Sequence, residues 1–329
     1  MITLAHLADI SQIPIEKYVI TQILREVRLA ELLPFSNVSA LVNIAIRWKT
    51  LPTVAFRYIN GGYTANEGDT EQVWESVYGF GGEILLDRVF DKVSNTVQDL
   101  RKLHTDMKLM AMGLTFNDYL INGDQAVDAL GFEGLKKRIG SMPTRQSVYF
   151  AGSSSAALDP TGSVANANSF FSKLEEMHYK ANRGQVAALL MNEGMIYGLG
   201  RVARYVNASG GMFLDVTKDS FDRNIMTYKG ARCVDVGLKV DQSTEIITDT
   251  ETAGDAGADA TSIYAVSFDE QQGVRGIQLA NIEVYDPLNG GEMEATPQKK
   301  IRIEWWCGLT TFGSHGIVRG RNVEGASQW

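Results

Sequence analysis

Histidines, cysteines, glycine-rich turns and clustered carboxylates are the parts of this chain that could carry chemistry, and their spacing argues against each. His6, His104, His178 and His315 are scattered, with no HExxH pair, and neither Cys233 nor Cys307 has a partner at metal-ligand spacing. Gly152 is followed by Ser153, Ser154 and Ser155, but the second glycine of a serine-nucleophile turn is missing. Gly198-Leu199-Gly200-Arg201-Val202-Ala203 fits a relaxed GxGxxA pattern, with Asp219 downstream. A dinucleotide turn places its first glycine directly after a strand, whereas Asn192 to Gly198 already read as helix. The plainer reading is that Gly198 and Gly200 let a helix lie close to a sheet. The acidic run 249–259 lacks the alternating ligand spacing of a calcium loop. The expectation is no catalytic residue, no cofactor and no metal.

Composition narrows the class further. The chain has 329 residues, 44% hydrophobic and 21% charged, which suits one large or two smaller soluble domains. A net charge of −8 makes sequence-independent gripping of nucleic acid a poor central activity, because phosphate contacts need clustered lysine and arginine. The two cysteines sit in separate apolar segments and read as small buried hydrophobes. Residues 1–18 lack the basic start and apolar core of a signal peptide, and no apolar run reaches the ~18 residues of a membrane span. The expected setting is cytoplasmic during synthesis, with no membrane.

With chemistry set aside, the elements become the message. Residues 47–88 read as two long β-runs joined by a polar tip, an arm with no sign of packing on its own domain. Val54, Phe56 and Tyr58 alternate with Thr53, Ala55 and Arg57; on the return, Trp74, Tyr78, Phe80, Ile84 and Leu86 alternate with Glu71, Glu75, Glu83 and Asp87. About thirteen residues of strand reach ~40 Å at ~3.3 Å each. A lone two-stranded ribbon is marginal in water, so the arm needs a partner to lie on.

Around the arm, a helical stripe at Val19, Ile23, Val27 and Ala30 precedes Pro34. Val93, Val97, Leu100, Leu103, Met107, Met110 and Leu114 predict a long amphipathic helix ending at Asn122-Gly123, lying on a sheet. Residues 151–166 read as a surface loop. Further on, helices are expected around Phe170–His178 and Glu193–Val206, with strands at Val186–Met191, Ile263–Phe268, Val274–Leu279, Ile301–Trp306 and Gly316–Val318. The acidic stretch 241–260 reads as a solvated loop or mobile tip.

This order of elements resembles the major capsid protein of tailed bacteriophages, the Hong Kong 97-type fold. Leu51-Pro52-Thr53-Val54-Ala55-Phe56-Arg57 with Asn60-Gly61-Gly62 and Thr70-Glu71-Gln72 is similar to the extended E-loop of one branch. Asn117 to Asp124, then Phe132-Glu133-Gly134-Leu135, looks like the exit of that family's spine helix, and Tyr228-Lys229-Gly230 before an apolar strand is also similar. The resemblance implies an α+β fold: N-terminal arm 1–46, E-loop 47–88, P-domain with long spine helix 89–149, α/β A-domain 150–296, and return strands of the P-domain with the C-terminus at 297–329.

By the same resemblance, each E-loop lies across a neighbour's P-domain, in hexamers and pentamers that close into an icosahedral head around double-stranded DNA. The implied partners are other copies of the chain, a separate scaffolding protein and portal, and optionally a decoration protein. The setting would be the virion, assembled in the host cytoplasm. Intersubunit contact would fall on Arg47, Lys49, Phe56, Arg57, Tyr58, Glu67, Asp69, Glu71, Trp74 and Tyr78. Two departures from some members bear on this. No lysine occurs from Leu51 through Asp91, so no lysine–asparagine weld is expected. Only 46 residues precede the E-loop, too few for a fused scaffold. An encapsulin-like compartment and a soluble enzyme are the competing readings.

Overall fold

The computed structural model describes residues 28–87, 100–152, 155–207, 214–218, 224–252, 259–269, 273–288, 291, 293, 296–311, 313 and 315–325. Of the expected helix before Pro34, the described part is α1 (Arg28–Leu32). A short β1 (Phe35–Asn37) and a ribbon of β2 (Val42–Thr50) and β3 (Asp69–Ser76) follow, then β4 (Tyr78–Asp87). Next come the long helix α2 (Leu100–Asn122), α3 (Leu135–Gly140), β5 (Ser147–Tyr149) and α4 (Val164–Lys180). The chain continues through β6 (Ala188–Met191), α5 (Glu193–Asn207), β7 (Asp215–Lys218), β8 (Asn224–Tyr228) and β9 (Ala231–Asp235). It closes with β10 (Ala260–Val266), β11 (Val274–Gln278), β12 (Glu283–Tyr285), β13 (Gln298–Thr311) and β14 (Ile317–Glu324).

Two sheets form the body. In the five-stranded one, β13 pairs with β4 along one side and with β12 and β11 along the other, and β1 joins β11 in parallel. Alternation sets its faces: Ile301, Ile303, Trp305, Cys307 and Leu309 turn inward, and Arg302 stands opposite Glu83 on the outer face. Phe116 of α2 packs against this inner face, its ring centroid 5.1 Å from that of Trp305, and Phe35 lies 5.2 Å from Trp305 on the same side. Helix α2 stops where expected. The Gly123 N–H bonds the Tyr119 carbonyl at 2.9 Å, and a Cβ on Gly123 would come within 2.4 Å of the Phe132 carbonyl oxygen, so only glycine fits this close crossing.

The seven-stranded sheet runs β5-β14-β10-β6-β9-β8-β7. Its central strands are covered on both sides, which is why Ala188–Met191 and Ala260–Val266 read as unbroken apolar or small runs. Leu189 and Met191 face the core under α4 and α5, while Ala188 and Leu190 face the core shared with α2. Helix α4 is capped by Ser163, whose hydroxyl accepts from the Asn166 N–H at 3.1 Å. Ala167, Phe170, Phe171, Leu174, Met177 and His178 form its buried stripe; a large apolar side chain so placed contributes about 1.5–3 kcal/mol.

Several expectations are corrected. The buried stripe of α2 is Leu109, Met112, Phe116, Leu120 and Ile121, whereas Leu103, Met107 and Met110 are exposed. Both stripes satisfy helical spacing; the sheet contact selects the one that includes Phe116. The closing strands separate, β13 into the five-stranded sheet and β14 into the seven-stranded one, while β11 and β12 join β13 despite lying before residue 297. Of the stretch 241–252, Asp241–Thr244 do form an exposed turn, but the rest is no solvated tip, since Ile246 and Ile247 are each only 2% exposed and Glu251 is tied to Arg319. The acidity of that stretch hid two core isoleucines. Gly200 has open space where a side chain would be, so it is no close-packing glycine.

Candidate intersubunit arm

Strands β2 and β3 form a ribbon of their own, with Val42 opposite Ser76, Ile44 opposite Trp74 and Arg47 opposite Glu71. One face carries Val42, Ile44, Ile46 and Trp74, which are exposed (Trp74 at 64%). The other face carries buried Ala45 and Glu75. The arm therefore turns its apolar side to solvent and a carboxylate to the body, so Trp74 does not share the inward face of Ile84 as one continuous alternation requires. Val77 is the reason. The chain passes there from ribbon to body sheet, so β3 and β4 do not share one continuous alternation.

Beyond the ribbon, residues 51–68 form no strand, and the alternation of Val54, Phe56 and Tyr58 is not that of a paired strand. A tight turn organises their middle. The Gly61 N–H bonds the Tyr58 carbonyl at 2.9 Å across Asn60, whose φ is 68°, and Arg57 donates to the Gly61 carbonyl at 3.1 Å. The Arg57 guanidinium stands 5.3 Å from the Tyr63 ring centre. At the root of this segment the Asp69 N–H bonds the Thr50 hydroxyl at 3.3 Å. Val54, Tyr58 and Ile59 are each over 90% exposed and Phe56 wholly so. A contiguous apolar display of this kind marks an interaction surface.

The ribbon is anchored by a buried ion pair that the sequence did not reveal. Arg138 of α3 donates to Glu75 Oε2 at 2.8 Å, to the Leu309 carbonyl at 2.8 Å and to the Glu133 carbonyl at 2.8 Å. Arg138 is 5% exposed and Glu75 8%. The planar fork is thus satisfied at several donors at once, which a lysine could not reproduce. In sequence Arg138 closes the run Lys136-Lys137-Arg138 and reads as a solvated charge; its adjacency to Ile139 on the inner side of a short helix was the available signal.

The expected contact residues therefore divide. Phe56, Arg57, Tyr58, Glu67, Asp69, Glu71 and Trp74 all lie on the arm and are exposed. Arg47 and Lys49 lie on β2, and only their backbone is described. Arg57 belongs to the distal turn. Tyr78 is on the body: it is half-buried against the main core, and its hydroxyl accepts from the Gln125 amide at 2.8 Å. Glu75, counted among the arm's acidic groups, is committed to Arg138.

Elsewhere, candidate nucleophiles are closed off. Burial pushes the Cys233 thiol up to about 12, against a small opposing bond to the Tyr228 backbone, and pushes Cys307 higher still. His178 is buried, His104 and His315 are exposed, and His6 lies outside the described residues. Among the described residues no three histidine, cysteine or acidic side chains are grouped to hold a metal, and no helix is long and apolar enough to cross a membrane.

Comparison with known proteins gives this geometry a family setting. Residues 35–171, which contain the arm, its anchor and α2, match the family model of the major capsid protein GP7. No curated protein matches the sequence. Among solved structures, the holo-SrpI encapsulin complex from Synechococcus elongatus PCC 7942 superposes with a TM-score of 0.62 at 14% identity, covering 92% of this chain and 89% of that one. The capsid of a native GTA particle gives 0.58 at 12% identity, covering 92% and 90%, and Mycobacterium phage Bobi gives 0.56 at 11%, covering 91% and 89%. The resemblance to tailed-phage major capsid proteins therefore holds: the chain has the Hong Kong 97-type fold, and its segment 35–171 matches the family model of the major capsid protein GP7.

Proposed function

We propose that this chain is the major capsid protein of a tailed phage, assembling through hexamers and pentamers into an icosahedral head around double-stranded DNA. The observation that carries the reading is the arm: an apolar ribbon face and an exposed 51–68 segment that its own body leaves uncovered. A second copy supplies the missing surface, with Phe56, Arg57, Tyr58, Glu67, Asp69, Glu71 and Trp74 at the contact, joined by Arg47 and Lys49 of β2. In this reading the five-stranded sheet with α2 serves as the P-domain, and the seven-stranded sheet with α4 and α5 as the A-domain. The net charge of −8 suits a wall that encloses DNA without gripping it. A separate scaffolding protein, a portal and a decoration protein are the further partners, and assembly takes place in the host cytoplasm. The role is structural and not catalytic.

Subunits are held by packing and charge without lysine–asparagine welds, because Leu51 through Asp91 contains no lysine. On a denaturing gel, mature particles then run as a single monomer band; a ladder of covalent multimers would refute this. An encapsulin-like compartment is the second reading, favoured by the structural similarity to SrpI. The particle's contents separate the two: nuclease-protected DNA supports a phage head, and a packaged protein cargo supports a compartment.

A further inference from the structure

The segment from Val236 to Glu251 crosses between the two layers of the body, and its polar contacts are specific at both ends. On the α2 side, Asn117 donates to the Val236 carbonyl at 3.2 Å, Asn122 donates to the Ile246 carbonyl at 2.9 Å, and Lys239 lies 3.5 Å from Asp118. Between these contacts Ile246 and Ile247 enter the main core. On the side of the seven-stranded sheet, Arg319 of β14 grips Glu251 at 2.8 and 3.0 Å, with Lys136 of α3 at 3.0 Å and the Ser262 hydroxyl of β10 completing the cluster.

The middle of the segment meets a different environment. Asn192 is 2% exposed, and its side-chain oxygen accepts from the Met195 N–H at 2.9 Å, capping α5. That bond fixes the amide, so its NH2 must point at the segment, where it donates to Glu245 Oε2 at 3.0 Å and also to Asp249 Oδ1. Two carboxylates thus share one neutral amide. Glu193 of α5 and Asp235 of β9 add like charge from the neighbouring elements, and the nearby cation of the segment, Lys239, stands beside Asp118. The start of α5 offsets part of this repulsion through its backbone dipole.

We propose that residues 236–251 form a strap that holds the seven-stranded sheet against α2, and that protonation of Glu245, which shares the Asn192 amide with Asp249, tightens it. The sign follows from the surroundings of Glu245. Burial, then Asp249, Asp235 and Glu193, raise its pKa above the ordinary 4.5 against the opposing bond from Asn192. The docked strap therefore holds the proton better than a released one. Its grip is full below the ordinary value and weakens as pH rises through the raised one. Glu251 acts oppositely and keeps the far end fastened at neutral pH, so release starts at Glu245.

The test is hydrogen exchange on the full-length chain, corrected for the intrinsic pH dependence of exchange, as pH rises from the ordinary value of 4.5 to neutrality. Peptides covering 237–250 should lose protection over that range while β10 and β13 peptides do not. Glu245→Gln should remove the pH dependence and keep the protection, and Asp249→Asn should weaken the dependence. Uniform protection across the range in the wild type, or an unchanged dependence in Glu245→Gln, would overturn the proposal. The measurement needs no assembled particle, so it stands apart from the shell reading.

Discussion

At Glu75 one carboxylate ties the arm to the body, and removing it would leave Arg138 buried among the Leu309 and Glu133 carbonyls. Stranding a buried charge in this way costs about 3–5 kcal/mol. Glu75→Ala should therefore lower the denaturant midpoint of the isolated subunit by the equivalent amount, and a change of under about 1 kcal/mol would show the pair to be solvated. Two further residues set the response to pH. For Glu251, burial opposes ionisation, but Arg319, Ser262 and Lys136 outweigh it and hold the carboxyl below its ordinary 4.5. Its stabilising contribution is thus present above that value and lost as pH falls through the lowered one, so the stability gap between wild type and Glu251→Gln should narrow in acid. His178 is held below its ordinary 6.5, first by burial and then by Lys229. Folded protein resists this protonation, so stability should fall as pH drops below about 6.5, and His178→Phe should flatten that part of the profile. An identical slope in both proteins would remove His178 from the account.

The elements were legible in the sequence to the extent that one face met one core. Helices α4 and α5 and strands β6, β10 and β11 follow their periodicity because each has a single strong apolar stripe or is buried on both sides. Helix α2 carries two apolar stripes, and the sequence offered no means of choosing the one that meets Phe35 and Trp305. The arm misled for a related reason. Residues 53–58 alternate without a facing strand, and the phase break at Val77 turned Trp74 outward and Glu75 inward. The arm's exposed position followed from its composition and length, but its anchor at Arg138 did not, since a long-range ion pair leaves no local pattern. If the distal segment serves only a neighbour, Phe56→Ser with Tyr58→Ser should leave the subunit's thermal midpoint unchanged, because both rings are almost wholly exposed, and should abolish assembly. A fall in the midpoint would show that the segment packs at home.

For the whole molecule, the two sheets share one core through α2, and the arm projects from it with its apolar side free. On the proposed reading, a neighbouring copy covers the apolar side that the described body leaves open. Charge belongs at this scale as well. Glu67, Asp69 and Glu71 are exposed on the arm, and single exposed pairs contribute only ~0–1 kcal/mol, but a shell repeats the contact at every subunit. Reversing Glu67 and Asp69 to lysine should leave the subunit folded and cut particle yield; normal yield would take charge out of the contact. The most direct test of the shell reading is negative-stain electron microscopy of the chain expressed with its flanking genes. The account predicts closed particles of uniform size built from this chain, and a homogeneous monomer or small oligomer would contradict it.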